Sequence, residues 1–126
     1  MNYFCCMNKT VALIGALAVA LGALGAHGLQ DLIAPSSLAS FRTGVWYHLL
    51  HAVALLAITR GSFKRITALL WVWGIVFFSG SIYLLAIDEY FGLSLSFLGP
   101  ITPIGGILLI SGWLTLIVSN EKNVDK

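Results

Sequence analysis

The sequence predicts an all-α membrane protein: a compact antiparallel bundle of four transmembrane helices with both termini on the cytoplasmic side. Three observations predict it. Hydrophobic residues make up 59% of the 126 and charged residues only 10%, against roughly 25% charged in an ordinary soluble domain. So few charges cannot cover a folded surface with groups that suit water. Four apolar stretches each reach the ~20 residues that cross a hydrocarbon core at ~1.5 Å of rise per residue. Finally, Lys9, Arg60, Lys64, Arg65, Lys122 and Lys126 all fall on one side of a four-span arrangement, with Arg42, Asp31, Asp88 and Glu89 on the other. The positive-inside rule makes the lysine-rich side cytoplasmic.

The whole chain, 1–126, reads as a single integral membrane domain. The spans are expected at about 10–29, 41–59, 66–87 and 101–119. Each is helical, because hydrocarbon offers backbone groups no partner outside their own segment. A β-barrel is excluded, since its strands would alternate polar and apolar residues. Pro35-Ser36-Ser37 reads as a turn followed by a cap, which starts the second helix near Ser37. Arg60-Gly61 ends that helix with a cation and a glycine. Gly99-Pro100 breaks the chain before the fourth span, and Pro103 sits in its first turn, where a missing N–H costs little.

Near the N-terminus, Lys9, the apolar run and Ala23-Leu24-Gly25 also resemble a cleavable signal peptide. The run is longer than a typical signal core and its small residues are patterned for packing, which favours a retained helix. Met7 would serve as a start, making residues 1–6 an extension. Cys5 and Cys6 are adjacent and poorly placed to bridge each other. They read as tail thiols beside the membrane, with acylation as the alternative.

On a helical wheel the first span carries two small-residue stripes. Gly15, Ala18, Gly22, Gly25 and Ala26 form one; Ala16, Ala20 and Ala23 form the other, ending in His27 and Asp31. Small residues let helix backbones approach closely, so two stripes predict two neighbours for this helix. Gly80 in the third span and Gly105, Gly106 and Gly112 in the fourth are further candidate packing glycines.

Chemistry, if present, is expected in the second span. Ser36, Ser37, Ser40, Thr43, Gly44, Tyr47, His48 and His51 fall within an arc of roughly 140°, and from Ala52 to Ile58 the helix is wholly apolar. His27 lies at a similar depth, with Asp31 one turn on to accept its N–H. Polar groups inside a bilayer need partners and so face the protein interior. Imidazoles close together could ligate a metal or haem, or relay protons. The same residues could instead bond helix to helix and fix the packing. Arg42, near the interface, reads as a snorkelling or ion-paired residue, or as an anion contact at a pocket mouth.

Several ordered elements resemble those of a known family. They are Gly22-Ala23-Leu24-Gly25-Ala26-His27-Gly28, then Thr43, Gly44, Tyr47 and His51 with Ala52 and Leu55, then Phe78-Ser79-Gly80-Ser81-Ile82-Tyr83, then Thr102-Pro103-Ile104-Gly105-Gly106 and Gly112-Trp113. Together they are similar to the small membrane family that includes the bacterial YgdD-like and YwdK-like proteins and the eukaryotic transmembrane protein 256 (domain of unknown function 423). The resemblance spans roughly residues 11–117 and implies four spans, no established enzyme activity and no established cofactor. It maps the family's recurrent polar positions to His27, Thr43, Tyr47, His51, Ser79, Tyr83 and Thr102. His48 falls outside the pattern.

Two functions compete. One is a non-enzymatic membrane-stabilising or complex-associated protein of the bacterial plasma membrane. Its partners are the lipid bilayer and a homo-oligomer or another membrane protein, not nucleic acid, since no Lys/Arg run is present. The other is a binder or transporter of a metal, haem, quinone, proton or small solute through the face of His27, Tyr47, His48 and His51. An enzyme is not expected, because no hydrolase, zinc-protease or P-loop signature lies in the spans.

Overall fold

The computed structural model describes the backbone of residues 2–61 and 65–120 and the side chains of 7–61 and 65–118. The readings placed on Cys5, Cys6, Lys64, Lys122 and Lys126 therefore lie outside the described side chains. The chain folds into α1 (Asn2–Ala23), continued by a π-helical turn (Leu24–Gly28), then α2 (Pro35–Thr59), α3 (Arg65–Phe91) and α4 (Ile101–Asn120). A short 3₁₀ turn, Ser96–Leu98, leads into α4. All four helices are long and apolar enough to cross a membrane, and there is no strand among the described residues.

The helix ends follow local chemistry that apolarity alone does not mark. Proline at the first helical position starts α2, earlier than the expected edge at 41. The N-cap is Ala34, with ψ at 147° and no capping side chain, so Ser37 lies inside the helix and caps nothing. Leu38 N donates to Ala34 O at 2.9 Å instead. At its far end α3 outruns the expected 87 and stops at Gly92, whose φ of 62° a side chain would resist. There Gly92 N donates to Glu89 O and Leu93 N to Asp88 O, the paired bonds of a Schellman motif. Asp88 also accepts Leu95 N at 3.1 Å, which ties the following loop to the helix end.

Consecutive helices run antiparallel. On the α2–α3 side, Phe41 meets Tyr83, Tyr47 meets Phe78 and His51 meets Trp71. Between α3 and α4, Trp71 reaches Leu109, and Ser81 reaches Thr102. Two apolar clusters fill the interior. One joins all four helices through Val11, Leu55, Ala68, Trp71, Ile75 and Leu109. The other, at the opposite end, gathers Leu29, Leu38, Phe41 and Ala86.

The outer surface is what hydrocarbon requires. Leu13, Val53, Ile107 and Ile117 are each more than half exposed, and in water so continuous an apolar coat would drive aggregation. The expectation of two helical neighbours for α1 is corrected. Ala18 and Gly25 are buried, and a Cβ on Gly22 would meet Val45. Ala16, Ala20, Ala23 and His27 are exposed, and among the described residues the α1 backbone approaches that of α2 alone. The second small-residue stripe therefore faces outward, because the backbone of α4 packs along α3 and does not approach that of α1.

Candidate functional site

The polar arc expected on α2 is split by the fold. The face this helix buries is Leu38, Phe41, Gly44, His48, His51, Ala52, Leu55 and Thr59, spaced by three and four. Gly44, His48 and His51 lie on it, whereas Ser36, Ser40, Thr43 and Tyr47 are exposed. Ser40 and Thr43 satisfy themselves, each bonding at 3.1 Å to the carbonyl four residues earlier, on Ser36 and Ala39. A hydroxyl bonded that way needs no interior partner.

His51 has both ring nitrogens engaged. Nδ1 lies 2.7 Å from Tyr47 O, which can only accept, so Nδ1 carries the hydrogen. Nε2 then accepts from the Trp113 indole N–H at 3.0 Å. These two bonds define one neutral tautomer and leave His51 no lone pair for a ligand. The ring also stands edge-on to Trp71 and Trp113, with centroids 5.9 and 6.0 Å away. Tyr47 holds its ring between those of His51 and Phe78.

His48, 3% exposed, pairs Nδ1 with the Tyr83 hydroxyl at 3.1 Å. Its Nε2 is the one buried side-chain polar atom without a partner among the described residues. His27 joins neither histidine. It is exposed on the π turn, and the bond expected from it to Asp31 is not formed. No three His, Cys, Asp or Glu side chains converge among the described residues. The three-imidazole grouping is thus corrected: helix order and rotation put each histidine in a different environment.

Thr59 donates to Leu56 O of its own helix at 2.7 Å, and the other interior polar groups link helices. Ser79 donates to Gly44 O at 2.8 Å across α2–α3. Ser81 and Thr102 share a bond of 2.6 Å, and Thr67 and Thr115 one of 2.7 Å, across α3–α4. The Trp71 indole donates to Leu109 O at 3.3 Å. Thr67 and Thr115 did not stand out in the sequence. Lone hydroxyls deep in apolar spans are a usable signal, because such groups seek a partner on a neighbouring helix.

The glycines divide sharply by what a Cβ would meet. At Gly105 it would lie 2.7 Å from Phe77 C and Phe78 Cα, both backbone atoms. Over Gly112 it would enter the Trp71 ring, and at Gly25 it would come within 2.9 Å of Phe41. Gly22 and Gly106 face ordinary contacts of 3.4 and 3.6 Å, and Gly80 faces nothing. Gly80 is therefore not a packing glycine within this chain. Two unsuspected ones are. Gly74 would strike Leu109, with backbone N at 3.1 Å, and Gly44 would strike Tyr83 and Ile82 at 3.0 and 3.1 Å.

Arg42 pairs with no carboxylate among the described residues. Its Nε donates to Gly25 O at 3.2 Å. The π turn explains that bond. Leu29 N reaches back five residues to Leu24 O, and the carbonyls of Gly25 and Ala26 find side-chain donors in Arg42 and Gln30.

Fold and interior together define a multi-pass α-helical membrane protein whose buried polar groups bond to neighbouring helices or back to carbonyls of their own. The chain belongs to the family described as protein of unknown function (DUF423), whose model matches residues 21–106. It is 40% identical to the UPF0382 membrane protein YwdK of Bacillus subtilis, covering 90% of this chain and 98% of that one. A UPF0382 membrane protein of Haemophilus influenzae is 37% identical over 90% of this chain and 91% of its own. The UPF0382 membrane protein C1782.12c of Schizosaccharomyces pombe is 39% identical over 87% and 97%. No solved structure matches.

Proposed function

We propose that this protein is a non-enzymatic structural component of the cell membrane, a rigid bundle that stabilises the bilayer or an associated complex, with both termini cytoplasmic. The observation that carries this reading is the closed bonding of His51. The best candidate ligand in the sequence spends Nδ1 on Tyr47 O and Nε2 on Trp113, so its chemistry goes into holding α4 against α2. Ser79, Ser81, Thr102 and Tyr83 serve packing in the same way. Under this reading Gly105→Leu abolishes accumulation in the membrane, whereas His51→Ala lowers stability and changes neither the optical spectrum nor the metal content of purified protein.

A second reading, ligand binding through the α2 face, draws on one atom, the unpartnered Nε2 of His48. Protein purified in mild detergent separates the two. A chromophore or stoichiometric metal present in wild type and lost in His48→Phe establishes ligand binding and overturns the structural reading.

A further inference from the structure

Along the outside of the α1–α2 pair runs a groove in two parts that meet at Leu49. One part, about 300 Å³, is lined by Gly22, Ala26, Val45, Trp46 and Leu49 and ends at Arg42. The other, about 480 Å³, is lined by residues including Ala12, Gly15, Ala16, Val53 and Leu56 and ends at Arg60. Both volumes fall in the range of roughly 300–1,000 Å³ typical of small-molecule sites. Gly15 helps keep the groove open for no reason internal to the chain, since a Cβ there would meet nothing within 4 Å.

The two arginines are the informative feature. They are 18 positions apart on one helix (60 − 42), which is about 27 Å of rise. That distance is close to the ~30 Å hydrocarbon thickness of a bilayer. The two arginines are therefore spaced to reach opposite boundaries between acyl chains and headgroups, each lining one end of the apolar groove. Arg42 is held there by its Nε–H to Gly25 O, and the fork's terminal nitrogens make no bond to protein among the described residues. Trp46, 74% exposed beside it, is the residue type that favours headgroup depth.

We infer that the α1–α2 groove binds phospholipid, one molecule per leaflet. An acyl chain lies in each half of the groove, and the lipid phosphate sits on Arg42 at one end and on Arg60 at the other. Guanidinium is well suited to phosphate, offering parallel N–H donors and a charge that survives desolvation. A second copy of the chain fits this face less well. A two-fold contact in the membrane, centred on the groove, brings Arg42 toward Arg42 and Arg60 toward Arg60.

The test uses the full chain, purified in a neutral detergent, stripped of lipid and titrated with dioleoyl phosphatidylglycerol. Native mass spectrometry reads how many lipids bind and how tightly. Wild type binds two. R42Q and R60Q each weaken one of them about fivefold, the scale of one surface cation acting on an anionic lipid, and the double variant weakens both. K9Q removes a charge that does not line the groove and weakens neither lipid as much as R60Q does. A26L narrows the Arg42 half without touching charge and weakens one lipid. If R42Q fails to accumulate, A26L and R60Q decide. Unchanged affinity in both variants overturns the proposal, as does a K9Q loss equal to that of R60Q. Lipid-free dimers as the dominant species also overturn it, because a second copy would then cover the groove.

Discussion

Replacing Gly105 with alanine should be the most damaging single-methyl change in this protein. The added Cβ would lie 2.7 Å from Phe77 C and Phe78 Cα and closer still to Phe78 N. Carbon atoms settle at roughly 3.5 Å or more, so α3 and α4 must separate by at least about 0.8 Å at that crossing. All the colliding atoms are backbone, so no rotamer change relieves the clash. Separation also stretches the bonds that cross the same interface. Trp71 Nε1 to Leu109 O, already 3.3 Å, passes out of range, and Ser81 to Thr102 lengthens from 2.6 Å. Overpacking costs about 1–3 kcal/mol, and interhelical hydrogen bonds in membranes average about 0.6 kcal/mol each. The expected loss is thus about 2–4 kcal/mol. Unfolding by sodium dodecyl sulfate, followed by tryptophan fluorescence, measures it. Gly80→Ala is the control, since its Cβ meets nothing within 4 Å, and its stability should shift by less than about 0.5 kcal/mol. Gly105→Ala matching wild type, or Gly80→Ala matching Gly105→Ala, would refute the reasoning.

Other consequences follow from single contacts. Trp113→Phe removes the donor to His51 Nε2 while keeping most of the ring, and should destabilise by about 0.6–2 kcal/mol; the same unfolding assay reads this, and no loss would contradict the assigned tautomer. Ser79→Ala leaves Gly44 O without its cross-helix donor and should cost about 0.6–1.7 kcal/mol, whereas Thr43→Val, at an exposed hydroxyl bonded to its own helix, should cost less than about 0.5 kcal/mol. Gly92→Ala forces a side chain into φ of 62° and should lower stability by about 1–2 kcal/mol, with Gly92→Asn milder; equal stability of both with wild type would argue against the Schellman end of α3.

Much of the fold was legible because hydrocarbon restricts the choices so severely. An apolar run of span length must be a helix, and the short connections between such runs make consecutive helices antiparallel. Helix ends were less legible. Pro35 acts at the first position of α2 without a capping side chain, and the Schellman turn at Gly92 lies past the apolar stretch, where hydropathy carries no signal. The candidate site was legible only as a set of residue types. A wheel places Ser40, Thr43, Tyr47, His48 and His51 on one arc, but it does not say which edge of that arc is buried. That depends on where α3 and α4 lie, and they bury Gly44, His48 and His51 while leaving Thr43 and Tyr47 outward.

Residue order alone therefore determined the solvent, the number of crossings and the helical state of each, because these follow from transfer free energies and backbone hydrogen bonding within one segment. Only the tertiary structure decided that His27 stands apart from His48 and His51, that Trp113 completes the bonding of His51, and that Gly74 and Gly105, unlike Gly80, must lack a side chain. Those outcomes depend on the rotation of each helix and its distance from the next. Both are set by contacts between residues far apart in the chain, which no single segment encodes.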